Sequence, residues 1–116
     1  MFTYTIGLTS LGHPEFVVTG LPQKPAHAFL NFLGEEVRSG RVFRTQTAAY
    51  DLTEGEAPIV FIEVEDTSQL TAVEQVFGVV DALQMVWCDS AGRLPWDDGF
   101  ANTRGAQPLL GVWNGP

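Results

Sequence analysis

The sequence predicts an α+β fold, a largely antiparallel sheet of about five strands with two helices packed on one face. Three observations lead there. Two short segments near the start alternate or run apolar and are joined by a turn, as in a hairpin. One later stretch carries its apolar residues at helical spacing. Regular strand–helix alternation, which a doubly wound parallel sheet needs, is missing.

Taken in order, Phe2 to Thr9 places Phe2, Tyr4, Ile6 and Leu8 on one face, the period of a half-buried strand. Ser10 to Pro14 is the connection, and Glu15 to Leu21 is the second strand. A helix follows Pro22, with Phe29, Phe32, Leu33 and Val37 as its apolar stripe, Arg38 in its last turn and Gly40 just past the end. Gly34 weakens that helix by about 1 kcal/mol relative to alanine unless close packing requires it.

Val42-Phe43 and Ala48 to Tyr50 are read as short strands or one bent strand, and Glu54 to Pro58 breaks the chain. Ile59 to Val64 is short, β-branched and bounded by turn residues, so it is a strand. Asp66, Thr67 or Ser68 supplies a helix start. Leu70, Val73 and Phe77 then follow at helical spacing up to Gly78. Ala82 to Cys88 is a strand with Leu83, Met85 and Trp87 on one face and Gln84, Val86 and Cys88 on the other. From about residue 93 the chain is rich in Gly, Pro and Trp and is read as an irregular tail of one domain spanning 1–116.

The chain carries 14 acidic against 6 basic side chains, a net of −8, and 45% of it is apolar. Nine of the acids lie between Asp51 and Asp89, with no Lys or Arg from residue 45 to residue 92. This is the reverse of the clustered cations that bind nucleic acid or an anionic membrane surface, so neither is expected as a partner. Cys88 is the single cysteine, which leaves no internal disulfide and no zinc ligand cluster. The opening residues lack a basic and apolar leader, and no apolar run approaches the ~20 residues of a membrane span. A cytoplasmic protein is expected.

Two segments hold the residues that chemistry would use. His13 and Glu15 could form an acid–base pair, since imidazole titrates near neutrality and a carboxylate can orient it. The structural alternative is a tight turn. Trp87, Asp89, Arg93, Trp96 and Asp97 gather aromatic and polar groups around a second turn, as a binding pocket does. Their alternative is that the two Trp cap the core while Arg93 pairs with Asp89 or Asp97. Cys88 is a nucleophile only if a neighbouring cation lowers its pKa. Glycine-rich phosphate loops and a GxSxG elbow do not occur, so no cofactor is expected.

Tyr4-Thr5-Ile6-Gly7-Leu8, Gly12-His13-Pro14-Glu15 and Gly20-Leu21-Pro22 form an ordered series. Leu83 to Trp87, Gly92 to Asp97 and Gln107 to Gly111 continue it. Together they resemble a domain-of-unknown-function family, number 4262, found mostly in actinobacteria. The resemblance implies a bacterial cytoplasmic protein with no assigned activity. Members of that family usually carry a further strand before the first motif, and often Pro where this chain has Cys88. An open edge along Phe2 to Thr9 invites pairing, so a homodimer through the N-terminal strand is expected.

The functional expectation is a non-enzymatic binding module for a small ligand or a protein partner. Its pocket would be formed by His13, Glu15, Trp87, Asp89, Arg93, Trp96 and Asp97 if the two turns converge. The rivals are a hydrolase or lyase that uses His13 with a carboxylate, and an acidic partner protein of a toxin or phage-defence system.

Overall fold

The computed structural model describes residues 2–53, 55, 57–78, 80–102 and 105–115. Glu54 and Glu56 of the expected chain break, and Arg104 of the tail, lie outside these. The elements follow as β1 (Phe2–Tyr4), β2 (Glu15–Thr19), α1 (Gln23–Arg38), β3 (Thr47–Ala49), β4 (Ile59–Glu63), α2 (Thr71–Phe77) and β5 (Ala82–Val86). The strands form one sheet in the order β1-β2-β5-β4-β3. Every neighbouring pair is antiparallel except β2 and β5, which run parallel. The expected α+β class with a mostly antiparallel sheet is therefore what the chain forms.

Successive residues of a strand point to opposite faces, and that alternation sorts the core. Phe16, Val18, Leu83, Met85 and Phe61 face α1 and pack on its Ala26, Leu30, Leu33 and Val37. Val17 and Ala82 face the other way and pack on Val73 of α2. Val60, Ile62 and Val86 share that second face and meet Leu94, with Cys88, Trp96 and Trp113 around them. The two helices thus lie on opposite faces, which corrects the expectation of both on one. The reason is that β2 and β5 are buried at every position and carry apolar residues on both faces, so both faces demand cover.

Three local expectations also change. The first strand ends at Tyr4, and Leu8–Leu11 forms a 3-10 turn instead of continuing it. The buried stripe of α1 runs through Leu30 rather than Phe32, which is 42% exposed. Val42-Phe43 is not a strand, although Phe43 is buried against the rings of Phe16 and Phe61. Among the described residues no helix is long and apolar enough to cross a membrane.

Candidate functional site

Glu15 opens β2 with no exposed surface. One carboxylate oxygen accepts from Thr5 Oγ1 at 2.8 Å and from the Leu8 N–H at 3.1 Å. The other accepts from the Gly7 and Thr9 N–H groups at 3.1 and 2.8 Å and from Thr9 Oγ1 at 2.6 Å. A buried charge is tolerable only when its lone pairs are met in this way. These bonds also explain the short first strand, because they wrap residues 5–9 around the carboxylate. Gly7, at φ 128°, makes the bend in a region that side chains disfavour.

His13 is buried beside Phe16 and Phe43, with ring centroids 5.3 and 6.2 Å away. Its Nε2 accepts the Phe43 N–H at 3.0 Å, so Nδ1 carries the proton and donates it to the Pro14 carbonyl at 2.8 Å. Both ring nitrogens are thus engaged by the backbone, and neither bonds a carboxylate. The expected His13–Glu15 pair does not form, since the two side chains serve different loops.

The second segment is equally self-contained. Asp89 is buried and accepts from the N–H groups of Ala101, Arg93 and Ala91 at 2.7, 2.8 and 2.9 Å. The Ala101 and Arg93 N–H groups hold its carboxyl below the usual carboxylate range, against the opposing effect of burial. Asp97 accepts the Leu94 N–H at 2.8 Å, and the Arg93 guanidinium donates to the Gly99 carbonyl at 3.0 Å rather than to an aspartate. Trp96 stacks on Trp113 at 5.6 Å, and Trp87 packs against the α1-side core while its indole N–H donates to the Thr19 carbonyl. Burial and the nearby Asp89 and Asp97 push the Cys88 thiol up to about 11, and it lies 3.1 Å from the Pro58 carbonyl. That is the reverse of an activated nucleophile.

The two segments are also apart. Glu15 pairs with Ala82 at the start of β5, whereas Trp87 to Asp97 leave its far end after Val86. Four strand steps separate those ends by ~13 Å. His13 borders a cleft of about 430 Å³ with Arg41, Phe43 and Arg44, and Asp97 borders another. Among the described residues no group of three or more His, Cys, Asp and Glu is placed to hold a metal ion.

The second face of the sheet is closed by the chain after Gly105, which acts as a strap. Gln84, fully buried in β5, accepts the Leu110 N–H at 2.7 Å and donates to the Pro108 carbonyl at 2.8 Å. Gln107 does the same to both backbone groups of Trp87, and Gln46 to Val112 and Asn114. Each primary amide, with one acceptor and two donors, stands in for a neighbouring strand. A Cβ on Gly20 would overlap the Ala106 carbonyl, and one on Gly111 the Glu63 carbonyl, so the strap needs glycine at both crossings.

Two clefts border this strap. One, of about 480 Å³, lies among Phe2, Glu65, Asp66, Gln69, Leu70 and the strap. The other, of about 500 Å³, lies among Pro95, Asp97, Asp98, Phe100, Asn102 and Gln107. Both are walled by Pro108 and Leu109, so they adjoin across that dipeptide. Of the seven residues expected at the pocket, Asp97 alone borders either of them. The sequence signal that would have pointed here, left out of the expected pocket, is Gln84, an amide in the middle of an otherwise apolar strand.

The family model of the domain of unknown function DUF4262 matches residues 1–101. The chain belongs to this family. No curated protein and no solved structure matches it. In this DUF4262 domain the matched stretch contains the whole sheet, both helices and the Asp89 turn, and the strap from Gln107 follows it.

Proposed function

We propose that this DUF4262 domain is a non-enzymatic binding module that holds a protein partner in the groove made by the two adjoining clefts. The observation that carries the reading is the commitment of His13, Glu15, Asp89 and Cys88 to hydrogen bonds inside the fold. The acid, the base and the nucleophile that catalysis would use are spent on holding loops. The clefts beside the strap, in contrast, are open and of the size that ligand sites take. Two basins on either side of one dipeptide suit a chain segment that crosses both. A reducing cytoplasm, where the lone thiol stays free, fits the single Cys88.

Stability of variants tests this. Residues held for catalysis commonly leave or raise stability when replaced, whereas residues held for the fold lower it. His13→Ala and Glu15→Gln should each cost about 2 kcal/mol in urea unfolding, because each strands buried hydrogen-bond partners. Unchanged or higher stability in both would return them to the list of catalytic candidates.

One observation favours a second reading, a homodimer. β1 is an edge of the sheet, with Phe2 36% and Ile6 48% exposed along or just beyond it. A monomeric mass by light scattering at micromolar concentration removes that reading.

A further inference from the structure

We infer that the groove beside the strap takes an extended protein segment in which Lys or Arg side chains alternate with apolar ones. The inference rests on the binding-module reading and names its partner's chemistry. Glu65 and Asp66 border one basin, and Asp97 and Asp98 the other. Among the described residues no Lys, Arg or His borders either basin, whereas the cleft at His13 is bordered by Arg41 and Arg44.

The Glu65 N–H donates to the Leu110 carbonyl at 2.9 Å, which ties the backbone that carries this carboxylate to the strap. Asp66 accepts the Ser68 N–H at 3.0 Å, and that bond holds its carboxyl below the usual range, so it stays charged. The basin that Glu65 and Asp66 border is also lined by apolar side chains, with Phe2 36% and Leu109 41% exposed and Leu70 buried. A cation beside an aliphatic group meets both. The chain's net charge of −8 adds long-range attraction for a basic partner and repels an acidic one.

The test is fluorescence anisotropy of the full chain with three short labelled peptides, in which Leu alternates with Lys, with Glu or with Ser. The Lys–Leu peptide should bind and weaken as salt rises, and the Glu–Leu peptide should not bind. Glu65→Lys combined with Asp66→Lys should loosen the Lys–Leu peptide by about tenfold or more. Glu35→Lys, on the exposed surface of α1, should change it by less than about twofold. Circular dichroism confirms that these surface variants stay folded.

A Ser–Leu peptide that binds as tightly as the Lys–Leu one, and is lost on Leu109→Asp, overturns the charge assignment but leaves the binding module standing. Equal loosening by Glu35→Lys means non-specific attraction and overturns the inference. Failure of every peptide to bind overturns both readings of the groove.

Discussion

The two faces of the sheet are closed by different physics. On one, the 16 residues of α1 lay an apolar stripe over Phe16, Leu83 and Met85, and shape complementarity alone decides the fit. On the other, a helix of seven residues covers Val17 and Ala82, and an irregular strap covers the rest. Apolar contact is not directional, so it cannot tell an irregular chain where to lie. Gln84, Gln107 and Gln46 supply the direction, through hydrogen bonds between residues 20 to 68 positions apart. A cover assembled from pieces leaves clefts where the pieces meet, and the groove of the proposed function lies there.

The contrast can be broken experimentally. Leu33→Ala removes a fully buried side chain of α1 and should cost about 3–4 kcal/mol through cavity formation, measured by urea unfolding. Gln84→Leu keeps the volume but strands the Leu110 N–H and leaves the Pro108 carbonyl to Thr19 Oγ1 alone, at a cost of about 2 kcal/mol. The two variants should then separate in hydrogen exchange. Gln84→Leu should speed exchange of the Leu110 and Glu65 amides ahead of global unfolding, and Leu33→Ala should not. Equal local opening in both would erase the distinction between the faces.

A smaller effect of opposite sign sharpens it. Gly34 is buried in α1, yet a Cβ there would meet only the end of the Arg38 side chain, at 3.5 Å. Packing therefore does not require the glycine, and Gly34→Ala should stabilise by about 0.5–1 kcal/mol in the same assay. Gly20→Ala, under the strap, should destabilise instead.

A further expected change, in reactivity rather than in overall stability, concerns Cys88. Its folded value of about 11 against an ordinary 9.0 lowers the thiolate fraction near neutral pH, so iodoacetamide should label it about 100-fold more slowly than free cysteine. The sign for stability follows from the raised value. The contribution is fully present below pH 9 and is lost as pH rises toward 11, a loss that Cys88→Ala should abolish.

What the sequence made legible follows this division. Periodicity revealed β4, β5 with its two faces, and α1, because each buries apolar residues at a regular spacing. It over-extended the first strand, because Ile6 and Leu8 keep the alternation while the Glu15 carboxylate curls the backbone. It placed both helices on one face, because α2 is too short to declare where its stripe points. His13, Glu15 and Asp89, read from the sequence as pocket candidates, are buried, but burial alone does not separate a catalytic group from one that holds a loop. The partners do that, and here they are backbone N–H and C=O groups and, for Glu15, the hydroxyls of Thr5 and Thr9. The clefts beside the strap have no sequence pattern, since Phe2, Glu65, Leu70 and Leu109 meet only through the fold.

The most direct test of the central claim is a chemical-shift map of the amide groups as the Lys–Leu peptide is added. The account predicts shifts confined to Phe2, Thr19, residues 64–70, residues 97–102 and residues 105–111. Shifts concentrated instead at residues 11–13 and 40–44, around the His13 cleft, would contradict it.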